Sequence, residues 1–206
     1  MIEVSNDGTV AVLTLNRPDK ANSLTAQMLE DLCTGVEEAR EARAVILTGV
    51  GKVFSAGADL DAAKAGLATS PLWERLSGAI ARHPGLTICA LNGTVAGGAM
   101  GMALACDLRI AVPGTRMFYP VMKLGFLPQP SDPARLVALV GPARTKMILM
   151  AGHKVSTEEA LAWGAIDALA EPDNLMDQAR SLTADICSAT PAHARAIKGL
   201  VAQSLP

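Results

Sequence analysis

Aromatic residues are scarce, only 3% of 206, so any core has to be assembled from Ala, Val, Leu, Ile and Met. Charge of one sign is lacking too: the formal net charge is −2, and Lys and Arg are scattered without a basic block. That excludes a nucleic-acid groove or an anionic membrane surface as the main partner. The start, MIEVSNDG, has neither a cationic beginning nor an apolar stretch, so no signal peptide is expected. Cys33, Cys89, Cys106 and Cys187 fall at no metal-binding or redox spacing, and three of them sit in apolar surroundings. They read as free thiols of a reducing cytoplasm, and no metal site is expected. There is no Walker A motif. A dinucleotide fingerprint fails as well, because position 96 is Ala and Asp107 lies too close to serve as the ribose acid. One uncharged run, Leu86–Cys106, is long enough to span a bilayer, but its Asn92-Gly93 turn and its glycines make it a buried strand, turn and helix.

What is present is half hydrophobic and of a length that fits one domain over residues 1–206. Thr9–Leu15 reads as a strand, followed by turn residues Asn16–Asp19. Thr25 is placed to cap a helix whose apolar face recurs at Met28, Leu32, Val36 and Ala39. Ala44–Thr48 and Leu86–Leu91 are continuous apolar runs of the kind covered on both faces, and Leu108–Val112 is a further strand. Pro71–His83 is helical. Met117–Asp132 is too rich in Pro and Gly to be regular. Asp132-Pro133 opens a helix to about Val140 that restarts at Ala143–Met150. Ser156 and Glu159 form a capping box for a helix ending near Gly164. Ile166–Leu169 is a short strand, and helices from about Asn174 and Pro191 follow. Strands alternating with helices predict an α/β fold.

Two loops, Ser55–Asp59 (SAGAD) and Ala96–Gly98 (AGG), each follow a buried strand and each end at a helix start. If those strands are neighbours, the N–H groups of Ala58 and Gly98 converge on one oxygen, the arrangement that stabilises a thioester enolate. Tight packing of a buried helix is the other use of the Gly97-Gly98 pair, and Asp59 has an ordinary role as a helix N-cap.

The chain resembles the crotonase superfamily, the enoyl-CoA hydratases and isomerases. The resemblance runs through Leu15–Leu24 (LNRPDKANSL), Ala44–Leu60 (AVILTGVGKVFSAGADL), Asn92–Asp107 and Lys123–Pro128 (KLGFLP), and on to Ala160–Ala168 (ALAWGAIDA) and Thr190–Lys198 (TPAHARAIK). It implies a ClpP/crotonase-like spiral of ββα repeats, with Ala58 and Gly98 donating to the thioester carbonyl. It also implies that Ala21, Ser23, Ala56, Asp59 and Leu60 line the CoA site, with Gly97, Pro120, Val121 and Gly125 near the acyl group. CoA enters as part of the substrate, with no permanently bound cofactor. A homo-oligomer, trimer or hexamer, is the usual assembly, although the family's helices beyond the TPAHARAIK-like segment are largely missing.

Two departures bear on the reaction. The glutamates with which hydratases of this family position and deprotonate water correspond to Gly101 and Val121, neither of which transfers a proton. Asp132 and Tyr119 are the remaining candidates for acid or base. Asp132 has an alternative role as an N-cap carboxylate, and Tyr119 as pocket wall. His83 ends a helix and reads as structural, a cation suiting that end. Val121, Met122, Leu124 and Phe126 suggest an apolar acyl pocket. Ser55 has no His or acid at a hydrolase spacing. The expected protein is therefore an enoyl-CoA hydratase/isomerase-like lyase or isomerase whose enolate chemistry needs little proton transfer, such as decarboxylation or a substrate-assisted shift. The alternative is a non-catalytic acyl-CoA binder of the same fold.

Overall fold

The computed structural model describes residues 1–203. Ile2–Asn6 (β1) and Val10–Leu15 (β2) form an antiparallel hairpin, its turn closed by Asp7 Oδ1 accepting from the amides of Thr9 and Val10. From β2 the chain reaches helix α1 (Ala26–Glu38), where Thr25 Oγ1 accepts from the Met28 amide as a cap. Three ββα turns follow. The first is Ala44–Gly49 (β3), Val53–Ser55 (β4), Leu60–Lys64 (α2) and Leu72–Ala81 (α3). The second is Leu86–Leu91 (β5), Thr94–Ala96 (β6) and Ala99–Ala105 (α4). The third is Leu108–Ala111 (β7), Met117–Phe118 (β8), Val121–Leu124 (α5) and Asp132–Leu149 (α6). Thr157–Trp163 (α7), Ala168–Leu169 (β9), Leu175–Ser181 (α8), Ala184–Ser188 (α9) and Pro191–Gln203 (α10) complete the described chain.

The first strand of each turn joins a six-stranded sheet ordered β1-β2-β3-β5-β7-β9, parallel except for β1. The second joins a small parallel sheet, β4-β6-β8. This is the spiral of ββα repeats. Alternation along the large sheet divides the core as strand geometry requires. Leu13, Val45, Leu47, Cys89 and Leu91 pack toward α1, α3 and α4, while Val12, Ile46, Ile88, Ala90 and Ile110 pack on the other face with Leu175 and Ala179 of α8.

Several elements differ from the sequence reading. β1 was not anticipated; it is short and, as an edge strand, largely exposed. β4, β6, β8 and α5 lie in stretches that read as loops. Strands of two or three residues give no periodic signal, and these exist because three successive turns bring them side by side. The helix after Gly97-Gly98 stops at Ala105 and is wholly buried. The segment after Asn174 breaks into α8 and α9. Ser131, not Asp132, is the N-cap of α6, and the helix is interrupted at Gly141 (φ 78°), as the Gly141-Pro142 pair requires. His83 is structural but is not held as a cation. Its Nδ1 accepts from the Gly85 amide, its Nε2 pairs with the Ala39 carbonyl, and burial pushes its pKa down. No helix among the described residues is long and apolar enough to cross a membrane.

One buried polar side chain locks the loop before α1 onto the rest. Asn22, fully buried, donates through Nδ2 to the carbonyls of Val50 (3.0 Å) and Val53 (2.8 Å) and accepts from the Arg17 amide (2.8 Å). Asn22 and its neighbour Ala21 both hold positive φ, 51° and 50°, a conformation retained only where surrounding contacts impose it. Replacing Asn22 with Ala takes the partner from the Val50 carbonyl and the Arg17 amide and leaves the Val53 carbonyl with only Asn92 Nδ2 (3.3 Å). We expect a loss of about 2–4 kcal/mol in denaturant unfolding.

Candidate active site

The two small-residue loops meet backbone to backbone. A Cβ built on Gly57 (φ 92°) would lie 2.8 Å from the Ala96 carbonyl oxygen and 3.3 Å from Gly97 Cα, and Gly97 itself has φ 57°. Only glycine allows that approach at position 57. It follows from β4 and β6 pairing in parallel and ending together. The residue after each glycine then lines one cavity of about 330 Å³. Leu24 pairs with the first loop as a parallel bridge, donating to the Gly57 carbonyl (2.8 Å) and accepting from the Asp59 amide (2.9 Å). This alternation turns the Ala58 N–H away from Leu24. Neither Ala58 nor Gly98 uses its N–H in a backbone hydrogen bond among the described residues. α4 is only seven residues long, so no long helix dipole stands behind Gly98.

Of the residues expected at the site, Ala56, Ala58, Leu60, Gly97, Gly98, Tyr119, Pro120 and Val121 line this cavity together. Leu124 and Phe126 also line it, giving the expected apolar wall. Met122 does not. It is exposed on the other side of α5, because successive residues of a helical turn face different ways. Gly125 ends α5 in a left-handed C-cap outside the lining, a conformational use of glycine. Ala21, Ser23 and Asp59 stand behind the wall. The Ala21 carbonyl accepts from the Ala56 amide (3.0 Å), and Arg17 Nη1 reaches the Ser23 carbonyl (2.9 Å), Ser23 Oγ (3.2 Å) and Asp59 Oδ2 (2.8 Å). Asp59 caps α2 as anticipated, and its hydrogen bond with Arg17 holds its pKa below the usual carboxylate range. Ser55 Oγ donates to the Asn22 carbonyl and accepts from Gly57, so its role is structural.

Trp73 and Gln129 also line the cavity and escaped the sequence reading. Trp73 packs its ring against Gly98, where an added Cβ would meet it at 3.1 Å, and its Nε1 donates to the Leu67 carbonyl. The next residue on α3, Glu74, accepts from both the amide (3.0 Å) and the hydroxyl (2.7 Å) of Ser131, pinning the start of α6. Neither residue belongs to a local motif. The Trp73–Gly98 contact and the Glu74–Ser131 hydrogen bonds join residues far apart in the chain.

At the positions of the two missing glutamates, Val121 is buried wall, and Gly101 faces a carboxylate from another element. A Cβ on Gly101 would lie 3.0 Å from Asp132 Oδ1. Asp132 is completely buried, and its carboxylate does not cap α6. Tyr119 donates its hydroxyl to Asp132 Oδ2 (3.0 Å) and accepts from the Gln129 amide (3.2 Å), while Arg135 Nη1 lies 3.4 Å from Asp132 Oδ1. Burial pushes the Asp132 carboxyl up to about 6, against the opposing pull of Tyr119 and Arg135. Burial, and then the charge of Asp132, push the Tyr119 phenol well above its ordinary value.

Because the folded carboxyl titrates near 6 and an ordinary one at 3.8, the folded state holds a proton that the unfolded chain releases between those values. The stability this contributes is complete below the ordinary value and is lost as pH rises through about 6, at most about 3 kcal/mol. Asp132→Asn removes that titration. Denaturant melts should therefore show wild type losing stability relative to the variant as pH rises from about 4 to about 7.

Residues 5–205 match the family model for enoyl-CoA hydratase/isomerase. The chain is 33% identical to the short-chain-enoyl-CoA hydratase of Clostridium acetobutylicum, covering 91% of this chain and 76% of that one. It is 34% identical to the carnitinyl-CoA dehydratase of Salmonella enteritidis, covering 96% and 78%. The crystal structure of enoyl-CoA hydratase from Bacillus anthracis superposes with a TM-score of 0.90 at 30% identity, over 98% of this chain and 82% of that one. Sequence pattern, ββα spiral and comparisons agree, and the chain belongs to the enoyl-CoA hydratase/isomerase family of enzymes.

Proposed function

We propose that the protein acts on an acyl-CoA thioester, with the Ala58 and Gly98 N–H groups receiving the thioester oxygen as it becomes an enolate. The observation that carries this reading is the pair of backbone donors, unused by the fold, lining one largely apolar cavity. Two such donors in a largely apolar pocket lower the energy of a developing oxyanion without reorganising. The thioester substrates named for the relatives support the same substrate class. CoA arrives as part of the substrate. Ala56 and Leu60 lie on the wall beside Ala58, with Ala21, Ser23 and Asp59 behind them, where the CoA arm would pass. Gly97, Pro120 and Val121 lie toward the acyl group.

Hydration by two glutamates does not fit Gly101 and Val121. Reactions that form the enolate by another route fit better. When a 2-carboxyacyl thioester loses CO₂, the C–C electron pair moves into the enolate and a single proton is then required at the α-carbon. A substrate-assisted shift makes equally small demands. The same two substitutions favour one second reading, a non-catalytic binder that keeps the thioester pocket. The reading carries with it a cytoplasmic homo-oligomer, trimer or hexamer. Its support is the buried free thiols and the exposed apolar residues Ile197 and Val201 on α10.

Calorimetry with acetyl-CoA and crotonyl-CoA, followed by mass spectrometry of the incubated thioesters, tests this. We expect both to bind and crotonyl-CoA to remain unhydrated. Binding with no turnover of malonyl-type or any other thioester would favour the binder, and no binding would remove the CoA pocket. Ala58→Pro deletes one N–H that the fold does not use. With an unchanged circular dichroism spectrum, it should lower turnover by about 10²–10³-fold.

A further inference from the structure

We infer that Tyr119 and Asp132 work as one proton shuttle for the α-carbon of the bound thioester, standing where the two glutamates are absent. This rests on the thioester reading above and specifies how its proton moves.

Four observations converge on the pair. First, the missing and the present acid occupy one place. A Cβ at 101 would lie 3.0 and 3.1 Å from the two Asp132 carboxylate oxygens, so a side chain there would require the carboxylate to give way. Loss of an acid on α4 and gain of one on α6 are thus a single arrangement. Second, Asp132 has no evident task in the fold. It does not cap its helix, and among the described residues its buried carboxylate meets only the Tyr119 hydroxyl (3.0 Å) and, as an ion pair, Arg135 Nη1 (3.4 Å). A carboxylate held that way lowers stability, and such groups cluster where chemistry needs them. Third, the pair has an outlet. Asp132 is sealed off, but Tyr119 lines the cavity beside Ala58, Gly98 and Val121, and its hydroxyl is bonded to Asp132. The Tyr119 hydroxyl is thus the hydrogen-bonded link between Asp132 and a residue of the cavity wall. Fourth, the geometry is fixed from outside: the Gln129 amide orients the phenol oxygen, and Glu74, through Ser131, fixes the first turn of α6.

The step balances as follows. The α C–H bond breaks, and its electron pair enters the enolate held at Ala58 and Gly98. The proton goes to the Tyr119 oxygen as the phenol's own proton passes to Asp132 Oδ2. The reverse transfer returns a proton to carbon. If the enolate forms by loss of CO₂, only the return leg operates, and Asp132 is recharged from water through Tyr119. The groups facing Asp132 are Tyr119 from the loop before α5, Arg135 from its own helix and Glu74 from α3. Of these, Arg135 favours the carboxylate and Glu74 opposes it. A carboxyl that titrates near neutrality is suited to both legs.

The test uses butyryl-CoA, which has an α-hydrogen and no carboxylate to lose, in D₂O, with α-deuteration read by mass spectrometry and affinity by calorimetry. Wild type should incorporate deuterium faster than buffer, at a rate that rises through pH about 6 and then levels. Tyr119→Phe, which keeps the ring packing, and Asp132→Asn should each slow exchange by about 10²-fold or more while binding the thioester equally well. The pH limb should vanish in Asp132→Asn, and the double variant should be no slower than either single one, since the two act in series. A merely structural hydrogen bond would change melting temperature and leave exchange intact. Binding without exchange in wild type, or exchange indifferent to both substitutions, would overturn the shuttle and leave the thioester pocket standing. Failure to bind butyryl-CoA would overturn the pocket and the shuttle together.

Discussion

The contact on which the site depends is the approach of two backbones, Gly57 against Ala96 and Gly97. A side chain at 57 would collide with the carbonyl oxygen of Ala96, a residue held in the small sheet by its pairing with Phe118 of β8. Once the loops touch, the amides of the following residues, Ala58 and Gly98, are left without a backbone partner among the described residues, and both residues line the cavity. The polarity proposed for the site is therefore a main-chain one, held by sheet pairing.

Helix α3 supports this arrangement on two sides with adjacent residues. Trp73 fills the space under Gly98, and Glu74 ties down Ser131 and so the first turn of α6. The same helix thus buttresses the amides and fixes the segment carrying Asp132. Scarce aromatics are concentrated here as well: Trp73, Tyr119 and Phe126 all face the cavity, while the aliphatic core needs almost none. Placing a carboxylate of raised pKa in this apolar surround opposes folding at neutral pH, and the packing of α1, α3 and α4 against the large sheet supplies the compensating stability.

Legibility in the sequence varied with the range of the interactions involved. The continuous runs of β3 and β5, the Thr25 cap, the Ser156–Glu159 capping box and the Gly141-Pro142 break are local, and each appears where the residues place it. β1, β4, β6 and β8 were not legible, because one is an exposed edge and the others are pairs or triplets formed only through neighbours. The small-residue loops announced the amides. Nothing local announced Trp73, Gln129 or the Arg17 clamp, whose partners lie elsewhere in the chain. Asp132 was visible as a carboxylate beside a proline, but the N-cap position belongs to Ser131, whose hydroxyl bonds Glu74 instead of the helix.

The sequence by itself determined the fold class, the family pattern and the loss of both glutamates, since hydrophobic periodicity, glycine placement and residue identity at a fixed spacing are properties of the chain alone. Only the tertiary structure decided that Gly101 and Asp132 share one space, that Tyr119 connects that space to the cavity, and that Gly125 and Met122 stand outside it. Those facts depend on how α4, α5 and α6 are stacked on the two sheets. No local spacing encodes the distance between side chains on elements thirty residues apart; packing of the whole core sets it.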